Sequence, residues 1–491
     1  MRSFGVSRNI MTPPRFPAVV FLLVCAWIGF SSALPLYAET EEGPDVGFAY
    51  DDFDLTLEPG HRTEIAGPFY YREQKQETLK IWAIPPFLSY TTDPATEMVE
   101  FNIVYPVFSY IRYGQQYRWQ LGQLLSFSGG PSQTETVRDR HTLFPFYFRQ
   151  KSTDSNNVYT AIGPFYGHLQ NRLFRDDISY VMFPIYGKTR KRDVVTRNYF
   201  YPVVHVREGE GLKGWQVWPI CGGETKGITT RTNGFGDVEM IPGYHRSFAV
   251  WPFFAEQETG LGSANPQWQQ LSLPLYNLFR SPMRDSTTVL WPFFTWIDDR
   301  EKGYKEWQAP WPFITFARGE KTINRFWPIY SHAYNTNLQV DSVLWPIYRY
   351  SRIRATAVDR QRTRILFYLY SDTLEKDLAK NRVRHRVDFW PFFTSRKEYN
   401  GNTRLQVLAP LEPLLPANHN IDIEYSHAWS LWRSEKNPRT GNASQSLLWN
   451  LYRREVTPKS RKVSCFFGLY QSRTSEEGTY TRLFYIPIRR H

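Results

Sequence analysis

Apolar residues along this chain fall in short blocks, and the blocks share a shape. The fullest example is Leu290-Trp291-Pro292-Phe293-Phe294: a large apolar residue, a proline, then two more large apolar residues. WPFF recurs at Trp251 and Trp390, with close variants at Trp218, Trp311, Trp327 and Trp345. Looser copies read GPFY at Gly67 and Gly163, YPVF at Tyr105, FPFY at Phe144, FPIY at Phe183 and LPLY at Leu273. Seventeen prolines mark copies between Pro68 and Pro487, most of them 16 to 23 residues apart. Five degenerate copies fill the longer gaps: the run Leu124–Phe127 and the positions of Tyr368, Leu431, Asn450 and Gly468. That makes 22 units with a period of about 19 residues. A spacing held this long is the mark of a repeat architecture. The repeat core comprises Trp218, Pro219, Trp251, Pro252, Trp291, Pro292, Trp311, Pro312, Trp327, Pro328, Trp345, Pro346, Trp390 and Pro391.

Each unit carries strand-forming Tyr, Phe, Trp, Ile, Val and Thr, followed by a polar break. Asn400-Gly401, the stretch 298–303, Asn335-Thr336-Asn337 and Glu476-Glu477-Gly478 are such breaks. Short breaks join antiparallel neighbours, because parallel strands need a long crossover. The expectation is an all-β, antiparallel, up-and-down sheet of about 22 strands, closed into a large barrel or barrel-like sheet. In Arg325–Tyr334 one face carries Phe326, Pro328, Tyr330, His332 and Tyr334; the other carries Arg325, Trp327, Ile329, Ser331 and Ala333. Both faces are apolar beside the motif. Proline removes a ladder donor, so its repetition at one phase predicts a shared bulge or bend in each strand. Asp372-Thr373-Leu374-Glu375 resembles a capping box and predicts a short helix over 372–380.

The amino terminus reads as an export signal. Arg2, Arg8 and Arg15 precede the apolar segment 16–30, and cleavage after Ala33 or Ala38 fits the small residues there. The expected organisation is a signal peptide at 1–38, an acidic turn-rich lead-in at 39–61 and one β-repeat domain at 62–491. Removing 1–38 takes three arginines and no acid, so the net charge falls from +12 to +9. A basic surplus favours anionic partners such as membrane lipid or an acidic envelope polymer. The charges are spread over every turn rather than gathered in one patch, which argues against nucleic acid. Cys221 and Cys465, the two cysteines beyond the signal, are too few and too separated for a disulfide framework and are expected to be free.

Chemistry is sparse. Gly209–Gly214 matches G-x-G-x-x-G, but a strand follows it where a dinucleotide site needs a helix, so it reads as a turn. The histidines are scattered and show no metal-ligand spacing. Asp176-Asp177 and Asp298-Asp299 are expected in polar breaks, as turn residues. No catalytic, cofactor or metal site is expected, and no cofactor. The aromatic repeat fits packing, a lipid-facing surface, or stacking platforms for sugar rings. The reading is therefore a non-enzymatic cell-envelope protein, an outer-membrane β-barrel with a structural or transport role. The alternative is a soluble or peripheral periplasmic scaffold that binds an acidic polysaccharide or an envelope partner.

Overall fold

The computed structural model describes residues 46–490, except 123, 132–137, 154–157, 233–235, 417 and 477. The expected signal peptide and the start of the lead-in lie outside the described residues. Between Asp51 and Arg490 the described residues form forty-five strands, forty-three of them in one sheet. Every strand pairs antiparallel with the next one in sequence. The single interruption is the hairpin Thr229–Thr232 with Val238–Ile241, which forms its own two-stranded sheet while Cys221–Lys226 pairs directly with Gly243–Ala249. All-β antiparallel meandering is what the repeat implies. The strand number is corrected to forty-three, because each 19-residue unit is a pair of strands.

The reason is the place of the motif. The strand Arg284–Val289 ends before Leu290, and the next, Phe294–Asp299, begins after Phe293. Leu290–Phe293 is the hairpin loop between them, with Val289 opposite Phe294. The proline therefore lies outside the ladder, where its missing N–H breaks no pairing. The expected mid-strand bulge is replaced by a turn. The expected helix at 372–380 is also absent: Tyr370–Asp377 is an eight-residue strand paired on both sides. Asp176 and Asp177 lie within the strand Arg175–Val181, and Asp298 and Asp299 end the strand Phe294–Asp299, paired on both sides, so neither pair is in a break. The lead-in already contributes strands Asp51–Asp54 and Gly60–Ile65. Gly209–Gly214 does form a hairpin turn, with Gly209 opposite Leu212.

Strands run from four to eight residues. At about 3.3 Å per residue a six-residue strand makes a ribbon roughly 20 Å wide, and forty-three strands spaced about 4.8 Å apart give it edges roughly 200 Å long. Cross-strand partners share a face, so each register position draws a continuous row along the ribbon. One row, nearest the motif loops, is apolar: Tyr276, Val289 and Phe294, later Phe326, Tyr330, Val343, Tyr348, Ile365, Tyr370, Phe389 and Phe393. This side is the aromatic face. The next row lies on the opposite, hydroxyl face: Thr288, Thr295, Gln308, Thr315, Arg325, Ser331, Ser342, Arg349, Arg364, Ser371, Asp388, Thr394 and Gln406. Many of these polar side chains are buried, among them Thr315, Thr394 and Gln406. The apolar core is small: one cluster joins Tyr71, Ile81, Ala83 and Ile423, and a second joins Tyr159, Ala161 and Leu169.

Among the described residues no backbone pairing joins the first strand to the last, so the sheet is not a hydrogen-bonded barrel. Its ends meet face to face instead. Phe48 N donates to Phe467 O at 2.9 Å, Thr56 Oγ1 to Ser444 Oγ at 2.8 Å, and Asn402 Nδ2 to Leu57 O at 2.7 Å. The helical segment 419–429 is wedged into this clasp. It is entered at Asn418, whose side chain accepts from Asn420 N.

Candidate functional site: the loop rim and the clasp

Because the motif loops all connect strands at the same edge, they assemble one rim. In most of these loops the residue two after Trp, or after its equivalent, closes a turn: Phe293 N donates to Leu290 O at 2.9 Å, and Ile220 N to Val217 O at 2.8 Å. Trp and Pro occupy the two central positions with a cis peptide bond between them, a type VI turn. The four-residue loops begin with a residue at positive φ: Leu290 at 47°, Leu344 at 46° and Val250 at 48°. The left-handed region is uncommon for such side chains and most so for a β-branched one.

Neighbouring loops are bonded side by side. Trp311 N donates to Phe293 O, Trp327 N to Phe313 O and Trp345 N to Pro328 O, each at 2.7 Å. Leu366 N continues the line to Ile347 O at 2.8 Å. Rings follow the same line: Trp327 and Trp345 have centroids 5.8 Å apart, Trp218 and Trp251 5.9 Å, and Trp345 and Phe367 5.5 Å. The rim is nevertheless open to solvent. Phe87, Phe200, Ile220 and Ile329 are all more than 60% exposed, and Trp251 is half exposed. The opposite edge holds the polar turns, with Leu173-Phe174 as an apolar exception. The repeat-core residues thus share a rim rather than a core. Of the three readings of the aromatic repeat, exposure favours a surface.

Apolarity on the aromatic face is two rows deep in places, with Trp296, Trp307 and Phe316 behind the first row and, earlier in the chain, Phe101, Tyr110, Trp119 and Phe127; elsewhere it is one row deep. Further from the rim it carries His332 bonded to Asp341, His168 to Asp177 at 2.7 Å, and Arg352 to Asp359 at 2.6 Å. His385 bonds Asp372 on this face at 2.8 Å, while its sequence neighbours Arg384 and Arg386 project from the other side of the strand. These pairs account for three of the ten histidines. No group of three His, Cys, Asp or Glu side chains suited to a metal occurs among the described residues. Cys221 and Cys465 are free and partly buried.

Among the described residues, buried charges are densest in the clasp. It encloses a cavity of about 140 Å³. Arg62 lies 2.8 Å from Glu64 and 3.1 Å from Glu73. Arg404 donates to Asp422 at 2.6 Å and to Glu412 at 2.9 Å, and Arg453 donates to Glu455 at 2.6 Å. Burial pushes the Asp422 carboxyl up, but the Arg404 guanidinium outweighs it and holds the group well below the usual carboxylate range. His427 lies between Arg62 and Arg433; burial and both cations keep its imidazole neutral well below the ordinary histidine range. Glu424 is fully buried and accepts from Ser89 Oγ at 2.6 Å and Tyr105 N at 2.8 Å; burial raises its pKa, with Glu100 adding to the effect. These charges are matched to one another and hold the sheet ends together. Sequence reasoning missed the clasp, because its partners lie up to four hundred residues apart along the chain.

Comparison with protein-family models and with curated proteins returns no match. No helix among the described residues is long and apolar enough to cross a membrane.

Proposed function

We propose that this is a non-enzymatic, exported cell-envelope protein with a structural role, which seats its aromatic loop rim in the interface of a membrane, with the outer membrane as its expected site. The observation that carries this reading is the continuous, exposed apolar rim. Soluble monomers rarely expose contiguous apolar patches larger than a few hundred Å², and larger ones mark protein or membrane contacts. A rim roughly 200 Å long, made of turns rich in Trp, Phe and Leu, exceeds that scale.

Two features favour shallow seating over spanning. A spanning strand needs about 9–11 residues, whereas these strands have four to eight. The apolar layer on the aromatic face is one row deep where ion pairs such as His332–Asp341 follow and two rows deep at Trp296, Trp307 and Phe316, roughly 3–10 Å, which is comparable to the 5–10 Å immersion of an interfacial element. The basic surplus of the chain adds attraction to anionic headgroups.

Fractionation of the expressed mature protein tests the reading. Resistance to salt, partial release by carbonate and full release by detergent are expected of a shallowly seated rim. Heat-shifted migration after detergent extraction would instead favour a spanning barrel with a transport role. Release by salt alone would favour a periplasmic scaffold that binds an acidic polysaccharide or an envelope partner.

A further inference from the structure

The buried arginines Arg62, Arg404 and Arg453 have carboxylate partners, whereas the half-buried Arg362 and Arg364 and their exposed neighbour Arg349 have none among the described residues. On the hydroxyl face, Arg349 stands directly opposite Arg364 on adjacent strands, and Arg364 stands opposite Ser371 on the next. Arg362 lies two residues along from Arg364, on the same face. Like charges placed directly across a ladder repel at about 5 Å. Among the described residues no ion pair relieves them. The nearest carboxylates are engaged elsewhere: Glu375 by Arg360, and Asp388 by Arg386 at 2.8 Å and Thr394 at 2.6 Å.

Three donors in this group are buried and lack an acceptor: Arg362 Nε, Arg364 Nε and Ser371 Oγ. The Arg364 guanidinium is held in place, 4.7 Å above the ring of Tyr368. Burial, with Arg364 and Arg360 alongside, also weakens the hold of Arg362 on its proton. Buried donors without acceptors are rare because each costs the desolvation of the group. Here three converge on one face with positive charge, and the one carboxylate that Arg362 feels, Asp388, is already engaged by Arg386 and Thr394.

We infer that Arg349, Arg362, Arg364 and Ser371 form a binding site for a phosphate group, supplied by the headgroup of an anionic lipid. Guanidinium forks match the tetrahedral oxyanion, and a hydroxyl supplies a further donor. The lipid source rests on the rim reading above. Arg349 is two residues from the loop at Ile347 and Arg364 two from the loop at Leu366, roughly 7 Å at strand rise. A rim immersed by 5–10 Å puts the guanidinium groups at the level of lipid phosphates.

The test is co-flotation of the mature protein with phosphatidylcholine vesicles, with and without phosphatidylglycerol, at fixed salt. The wild type is compared with R349Q/R362Q/R364Q and with the single, exposed-site variant R349Q. Wild type is expected to prefer the anionic vesicles. At about fivefold per arginine near the surface, the triple variant loses roughly a hundredfold on anionic vesicles and R349Q about fivefold, with phosphatidylcholine binding unchanged. A triple variant that keeps the anionic preference overturns the inference while leaving the rim reading intact. If wild type floats with neither vesicle, the rim reading fails, and calorimetric titration with inorganic phosphate decides the site. Heat from wild type but not from R349Q then assigns a soluble phosphate source, and no heat from wild type overturns the site. Removing the like-charge pair leaves melting in phosphate-free buffer unchanged or higher, and this serves as the folding control.

Discussion

Replacing Arg404 with alanine is expected to open the clasp and nothing else. Arg404 is 9% exposed and binds Glu412 and Asp422 at once. Removing one partner from a buried ionic group costs about 3–5 kcal/mol, because the remaining charge stays buried. Asp422 has a third of its side chain exposed, so water recovers part of its loss, and Glu412 keeps Arg396 at 2.6 Å. Both discounts put the cost near the lower end, about 3 kcal/mol. Hydrogen exchange followed by mass spectrometry reads this locally. An opening free energy lower by that amount speeds exchange more than a hundredfold at about 1.4 kcal/mol per decade. The acceleration should appear in Gly60–Ile65, Tyr70–Lys75 and 419–429, and not in the hairpin of Tyr348–Arg354 with Val358–Ile365, whose contacts are with its own neighbours. R404A/D422N should recover part of the loss by removing the carboxylate charge that Arg404 leaves behind. The clasp also has a pH dependence. The depressed pKa of Asp422 gives stability that is present above the unfolded carboxylate pKa and lost as pH falls through the folded one. R404A should flatten that acid limb. Acceleration below about threefold, or spread evenly along the sheet, would refute the clasp as a local lock.

Three further outcomes follow from the same geometry. Glu424 has a raised pKa, so its contribution is present below the unfolded carboxylate pKa and lost as pH rises through the folded value. Glu424→Gln should therefore raise the melting temperature at neutral pH and not in acid; a loss at neutral pH would show that the Ser89 and Tyr105 bonds outweigh burial. Val250→Gly removes a β-branched residue from φ 48° and should stabilise by about 1 kcal/mol in denaturant titration, while weakening vesicle binding at that exposed loop. Gly319→Ala would place a Cβ 1.9 Å from Gly303 O at φ +120°, so a loss of about 1–3 kcal/mol is expected by the same titration.

The units were readable in the sequence because the motif recurs, and the face assignment in Arg325–Tyr334 holds for the strand residues, while Trp327, Pro328 and Ile329 form the loop. Phe326 pairs with Tyr330 and Arg325 with Ser331 across a three-residue loop, which preserves the alternation. Four-residue loops break it: Val289 and Phe294, five apart, share a face. This is why both faces looked apolar beside the motif. The strand count was halved because one turn in each unit is built from Trp, Pro and Phe rather than Gly or Asn. The repeated proline, unable to donate to a ladder, was the available signal for a loop. Asp372–Glu375 has local helix signals, but pairing on both sides, Thr373 with Arg362 and Arg386, overrides them. The helical segment 419–429 has no apolar 3.6 period, since it buries Asn420, Glu424 and Ser426 against polar sheet ends. The arginine group was hidden because register, not spacing, sets Arg349 beside Arg364.

Quenching of tryptophan fluorescence by lipids brominated at defined acyl depths tests the central claim most directly. Trp251, Trp291, Trp311, Trp345 and Trp390 all lie exposed on the rim. Seating of the rim should give a blue shift on vesicle addition and strongest quenching by the shallowest brominated lipid. Emission unchanged by vesicles and by every brominated lipid would contradict it.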